Sequence, residues 1–199
     1  MIKETLGFIK DKLNTALKAR LNSEDGGSES EKDLVEFVNG EKQDPLTFST
    51  GVVSMLLVGI EQERVMRRAD PYRSVSVDGS PKYIKPEIRL QVSVLFVAQF
   101  KQYDVGLNTL SEIIYFFQEN PLFLQGQGSV LPEKIERISL ELVSMTLAEQ
   151  NEVWSGLRAA YRPSLLYKVG LLVFNDQNAV DASKVTEVER ITKHKESNG

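Results

Sequence analysis

No cysteine occurs among the 199 residues. Disulfides, thiolate metal sites and cysteine nucleophiles are thereby excluded. Histidine occurs once, as His194, between two lysines in a polar stretch near the end. There it reads as a solvated side chain, which argues against a Ser-His-Asp relay and any histidine metal cluster. Long apolar runs are missing too. The longest, at 51–60 and 169–174, fall well short of the roughly 20 residues that span a bilayer. The first 21 residues lack the continuous apolar core and small-residue cleavage site of a secretory leader. The expectation is a chain that does not insert into a membrane by itself. Positive charge is not in excess either: the formal net charge is −4. That argues against nucleic acid as the main partner, because phosphate binding needs a clustered cationic surface.

What is present is ordinary for a soluble globular protein, with 41% hydrophobic and 26% charged residues. The length suits one domain with a sizeable core. Ile2, Leu6, Ile9, Leu13, Leu17 and Leu21 recur at steps of three or four and predict an amphipathic helix over 1–21. Its polar face mixes Glu4 and Asp11 with lysines, which favours packing on the domain or on a neighbouring subunit over lipid. Residues 22–33 (NSEDGGSESEKD) read as a flexible acidic link. A single domain is expected over 34–174, followed by a polar tail or arm over 175–199.

Within the domain, Leu34 to Val38 suit a short strand, and Val52 to Ile60 a buried strand that ends in charge near Arg64. Asp70-Pro71 and Asp78-Gly79 punctuate a long loop or hairpin. In "EIRLQVSVLFVAQF" (87–100) one face is wholly apolar, from Ile88 through Val92, Val94 and Phe96 to Phe100. This is the clearest period-two strand in the chain. Asp104 is placed to cap a helix carrying Leu107, Leu110, Ile114 and Phe117 and ending at Asn120-Pro121. Leu122 to Leu124 suit an edge segment. Ile138, Leu140 and Leu142 alternate in a further strand. Thr146 caps a short helix with Leu147 and Trp154 two turns apart, and Leu165 to Phe174 form the last core strand. Val185 to Ile191 fit either a strand or a helical turn. The pattern is α+β: a mostly antiparallel sheet with helices packed on one face.

Few residues offer chemistry. Glu61 and Glu63 lie two apart, on one face if the strand continues, and such a pair suits a carboxylate-dependent hydrolase or a hard cation. Arg64, Arg67 and Arg68 follow directly, which favours a charged strand end and an ion-pair or partner surface. "QGQGS" (125–129) lacks the lysine and hydroxyl of a phosphate-binding loop. Arg67, Arg68, Arg73, Lys82, Tyr83 and Lys85 interleave base and aromatic. Such a stretch suits a single nucleic-acid strand, but in an acidic chain a protein-facing loop suits it better. No cofactor and no metal is expected. In "NEVWSGLRAAYRPSLLYKVGLLVF" (151–174), Trp154 plugs the short helix onto the sheet, its N–H expected to find a partner. Pro163 fixes entry into the last strand. Arg158, Tyr161 and Arg162 lie on the connecting loop, open to a neighbour subunit or to solvent.

Three segments together resemble one family. They are "SMLLVGIEQERVMRR" (54–68), "PEIRLQVSVLFVAQFKQYDVGLNTLSEIIYFFQENPLF" (86–123) and "KIERISLELVSMTLAEQNEVWSGLRAAYRPSLLYKVGLLVF" (134–174). They are similar to the tail-terminator or cap proteins of phage-tail-like contractile injection systems, antifeeding-prophage-type particles and their relatives. Glu149, Gln150, Asn151, Trp154, Leu157, Pro163, Ser164, Tyr167, Lys168 and Val169 fall on the family pattern, which carries no catalytic residue. The resemblance implies a non-enzymatic structural protein with a phage tail-terminator-like sheet flanked by helices. It implies a homo-hexameric ring that closes the tube and sheath at the end distal to the baseplate. Sheath and inner-tube proteins would be its partners, and synthesis would be in the bacterial cytoplasm. Sheath subunits of such machines exchange extended arms, so a cap would take part by strand addition. The tail after Asn175 and the N-terminal helix with its link are the two candidate arms. An adaptor or cargo-loading protein of the same particle is the alternative within the family.

Overall fold

The computed structural model describes residues 2–25, 32–38, 46–62, 73–75, 81–83, 89–126, 131–132, 135–172 and 180–181. In chain order these form α1 (Ile2–Asp25), β1 (Val35–Phe37), β2 (Val52–Gln62), β3 (Arg73–Val75), β4 (Pro81–Tyr83) and β5 (Arg89–Gln99). There follow α2 (Tyr103–Glu119), β6 (Leu122–Leu124), β7 (Arg137–Val143), α3 (Leu147–Gly156), β8 (Ser164–Leu172) and β9 (Val180–Asp181).

Two compact units divide the chain. The larger holds Met1–Met66 and Ile88–Phe174, the smaller Arg67–Glu87 and Asn175–Gly199. The smaller contains a three-stranded sheet in the order β3-β4-β9. Its strands come from the loop at 70–85 and the tail after 175, two stretches that the sequence presents as unrelated. Tyr83 pairs with Val180 and Lys82 with Asp181.

The larger unit is built on a six-stranded sheet in the order β1-β2-β5-β8-β7-β6. Only β1 and β2 run parallel; every other neighbouring pair is antiparallel. The α+β reading holds. A shift in register between Leu57 and Gly59 marks a bulge in β2. Central position explains β5: its neighbours on both sides satisfy its backbone, and its side chains feed both faces. Val92, Val94, Phe96 and Ala98 enter the main core, while Leu95 and Val97 point the other way.

The main core lies between one sheet face and a layer made by α1 and α2. Leu6, Ile9, Leu13 and Leu17 of α1 are buried there, with Leu110, Ile113, Phe116 and Phe117 of α2. Each such side chain contributes about 1.5–3 kcal/mol on burial. Phe96, Phe117 and Tyr167 stack into one aromatic cluster, with Phe117 and Tyr167 centroids 4.7 Å apart. The N-terminal helix is therefore a layer of the domain, and it runs to Asp25, into the stretch that composition assigns to the acidic link. Polar contacts fix its pitch. Asn14 bonds to the β1 backbone. Arg20 pairs with Glu112 and Glu119 of α2. Lys18 and Lys10 both reach Asp33, and that pairing holds the Asp33 carboxyl below its ordinary range, Lys18 contributing most.

Four local expectations change. The α2 N-cap is Gln102, whose side chain makes no capping bond; Asp104 sits inside the first turn, where its charge suits the positive end of the helix. The buried stripe of α2 is Gly106, Thr109, Leu110, Ile113, Phe116 and Phe117, so Leu107 is exposed and Ile114 only half-buried. Leu142 is exposed as well, although Ile138 and Leu140 on the same strand are buried. Finally, α3 packs against Leu95 and Val97, on the sheet face opposite α1 and α2. Helices thus cover both faces rather than one.

Candidate functional site

The site with the most local design is α3 and the turn that follows it. Thr146 and Glu149 open the helix with a reciprocal capping box. The Glu149 N–H donates to Thr146 Oγ1 at 3.3 Å, and the Thr146 N–H donates to the Glu149 carboxylate at 2.7 Å. That backbone donor holds the Glu149 carboxyl below its ordinary range. At the other end, the Arg158 N–H donates to the Ser155 carbonyl at 3.1 Å and the Ala159 N–H to the Trp154 carbonyl at 3.4 Å. This is the Schellman pattern, and it requires a left-handed residue after the cap. Glycine is usual there; this chain places Arg158, at φ 50°.

Between these ends Trp154 is the anchor. It is buried, packs with Leu95 and Val97, and meets Phe48 and Tyr161 edge to face at 5.9 and 5.6 Å. Its Nε1 has no hydrogen-bond partner among the described residues, contrary to the partner expected for a buried indole. Leu56, Val58, Val153, Leu157 and Leu166 supply most of the cluster around it.

Beyond Tyr161 the chain is tied back to the sheet. Arg162 Nε donates to Gln99 Oε1 at 2.7 Å, and an Arg162 Nη donates to the Tyr161 carbonyl at 3.0 Å. The Pro163 carbonyl accepts from the Ala98 N–H at 2.9 Å, extending the ladder into β8. Tyr167 then enters the core, and burial pushes its phenol up to about 12.

Leu147, Asn151, Trp154, Ser155, Arg158 and Tyr161 line a hollow of about 650 Å³. Leu147 is 84% exposed at its edge and Tyr161 57% exposed. The sequence places Leu147 and Trp154 two turns apart on one helix, and both do line this hollow, but Leu147 packs on nothing large enough to bury it. The capping box is the signal for that: it makes Leu147 the first helical residue, out past the sheet.

Of the other sequence candidates, Glu61 stands exposed near the outer end of β2, opposite Gln91. Glu63, Arg64, Arg67 and Arg68 lie outside the described residues, as do most of the Gly/Gln loop and Val185 to Ile191. Arg158, Tyr161 and Arg162 do come together, with Trp154 and Pro163, around the joint between α3 and β8. Among the described residues no group of three or more acidic or histidine side chains is placed to hold a metal ion. Among them, too, no helix is long and apolar enough to cross a membrane.

Solved structures that share this fold include two terminating proteins. One is the PVC sheath/tube terminator of an extracellular contractile injection system, in the extended state: 20% identity, a TM-score of 0.52, 95% of this chain and 65% of that one. The other is the anti-feeding prophage cap, a tube-terminating cap: 14% identity, a TM-score of 0.53, 90% of this chain and 60% of that one. The chain thus spans less than two thirds of either. No curated protein matches it. The family model of the Pvc16 N-terminal domain matches residues 8–187. That span takes in α2, the capped α3, the Arg158 turn and β8, and so the chain belongs to the Pvc16 N-terminal domain family.

Proposed function

We propose that this protein is a structural cap of a contractile injection particle, closing the tube and sheath at the end distal to the baseplate. The observation that carries this reading is a fold shared over 90% or more of the chain with two such terminating proteins, one of sheath and tube, one of tube. Membership of the Pvc16 N-terminal domain family supports it. The role is read as non-enzymatic: the hollow beside Trp154 mixes Leu147, Ala159 and Tyr161 with Gln150, Asn151, Ser155 and Arg158, and no carboxylate or histidine lines it among the described residues.

The cap acts as a homo-oligomeric ring, a hexamer, made by repeating one contact about an axis. Ring faces then bind tube and sheath. The six-stranded sheet ends in two short edge strands, β1 and β6, on which Phe37 and Leu122 are exposed. Asn14 already bonds the Val35 backbone on the outer side of β1, so β6 is the edge that accepts an added strand, with main-chain hydrogen bonds giving affinity. Since α1 commits Leu6, Ile9, Leu13 and Leu17 to the core, the segment after Asn175 is the better arm toward the sheath. Synthesis is in the bacterial cytoplasm, before incorporation into the particle. Glu61, Glu63, Arg64, Arg67 and Arg68 are assigned to partner contacts rather than to hydrolysis.

Gold labelling of an epitope-tagged chain in assembled particles tests the placement. Label at one end, opposite the baseplate, is expected. Label along the lumen, or co-purification of a monomer with cargo, would instead make the chain an adaptor.

A further inference from the structure

We infer that the hairpin of β3 and β4 anchors the C-terminal arm. It holds the arm's root at Val180 and Asp181, so that the reach toward the sheath begins beyond Asp181. This rests on the reading of the segment after Asn175 as that arm.

Strands β2 and β5 are antiparallel neighbours, with Gln62 opposite Leu90. A turn of about 2–5 residues is enough to join such a pair. This chain uses residues 63–88 for the connection, a length that goes with a role of its own. Within it lie β3 and β4, three residues each, paired from Arg73–Tyr83 to Val75–Pro81. A two-stranded ribbon of that size is marginal in water, and a third strand is what lets such a sheet stand. The third strand here is β9, which pairs Val180 with Tyr83 and Asp181 with Lys82. Hairpin and tail complete one another, and neither has another ladder among the described residues.

The exit points agree. Leu172, the last residue of β8, lies opposite Arg89, the first of β5. Leu90 lies opposite Gln62, the last of β2. The connection and the tail therefore leave the six-stranded sheet at the same end of three adjacent strands. Two stretches far apart in sequence thus start close enough to meet, and they fall in one compact unit, Arg67–Glu87 with Asn175–Gly199.

An anchor at 180–181 changes what the arm can do. A tail loose from the end of β8 would reach from residue 173. Held on β4, its reach is residues 182–199, at most roughly 60 Å when extended. A shorter tether raises the effective concentration of its end at a partner, as the −3/2 power of length. Shortening 173–199 to 182–199 is a gain of about twofold by that rule.

The chain has no native cysteine, so a cross-link reports the pairing without background. Lys82→Cys with Asp181→Cys puts two thiols at directly paired positions, within disulfide reach. Mild oxidation of this full-length double variant should give a cross-linked monomer. Ser74→Cys with Asp181→Cys, one strand farther off, should not. Particles assembled with the locked chain should be sheathed like the parent's, with or without reductant. Val180→Pro with Asp181→Pro removes the N–H donors of β9 and should lower the sheathed fraction by about twofold. A chain ending at residue 181 keeps the anchor without the reach and should sheath as poorly as one ending at 175.

No cross-link, or a cross-linked dimer in its place, would take β9 off its own hairpin and overturn the proposal. Bare tubes from the locked chain that regain sheath with reductant would mean that the arm has to leave β4, and would overturn it too. So would unchanged sheathing with both prolines, or normal sheathing by the chain ending at 181 alone. Normal sheathing by the chain ending at 175 would overturn the arm reading itself, and the anchor with it.

Discussion

Asn14 of α1 clamps Val35 of β1 from both sides of its amide. Asn14 Nδ2 donates to the Val35 carbonyl at 2.9 Å, and Asn14 Oδ1 accepts the Val35 N–H at 2.8 Å and the Leu34 N–H at 2.9 Å. One buried side chain thus substitutes for the strand that β1, as a sheet edge, lacks on its outer side. Asn14→Leu should cost about 2–4 kcal/mol, because two backbone donors and an acceptor would be left buried and unpaired. A lower urea midpoint with unchanged slope is the expected readout.

Arg158→Gly should do the opposite. It relieves a left-handed non-glycine residue and is expected to raise stability by about 1 kcal/mol. For a chain of this size that is a rise of roughly 2–4 °C in Tm.

Leu147→Lys should be nearly silent in denaturant unfolding. Leu147 is 84% exposed, so stability should stay within about 0.5 kcal/mol of the parent.

Tyr167 sets an alkaline limit. Its folded pKa of about 12 lies above the ordinary 10.0, through burial among Phe96 and Phe117. The folded state therefore holds the phenolic proton where the unfolded chain releases it. The stabilisation is complete below pH 10 and is lost as pH rises toward 12. Tyr167→Phe should flatten this loss in urea titrations between pH 9 and 12. Asp33 works in the acid direction: its lowered pKa gives stability that is present above 3.8 and lost as pH falls through the lower folded value. At an exposed pair the effect is small, and Asp33→Asn should remove it.

Much of this fold is legible in the sequence, and the reasons are local. One face of strand β5 is legible as wholly apolar, because Val92, Val94, Phe96 and Ala98 all enter the core beneath α1 and α2. The Thr146 cap is legible because Thr-x-x-Glu specifies its own hydrogen bonds. The rotation of α2 is not, because Leu107, Leu110, Ile113, Ile114, Tyr115, Phe116 and Phe117 make it apolar nearly all round. Sequence cannot divide such a helix between a core face and an exposed one. The face taken by α3 is hidden for the same reason: Leu95 and Val97 make both sides of β5 apolar. The unpartnered Trp154 Nε1 and the left-handed Arg158 depend on packing and turn geometry that no periodicity encodes. The candidate site was half legible. Arg158, Tyr161 and Arg162 stand out by residue type, but the hollow needs Leu147 and Asn151 as well, which are unremarkable until the helix is placed.

The segment after Asn175 is assigned as the arm toward the sheath. Chains ending at residue 175 should still form rings but support fewer sheathed particles. Sheathed particles of normal length from the truncated chain would refute this assignment.

The central claim, that this protein terminates the particle, is tested most directly by electron microscopy of particles assembled without it. Tubes of uncontrolled length, or tubes that have lost their sheath, are expected. Particles of unchanged length, fully sheathed, would contradict it.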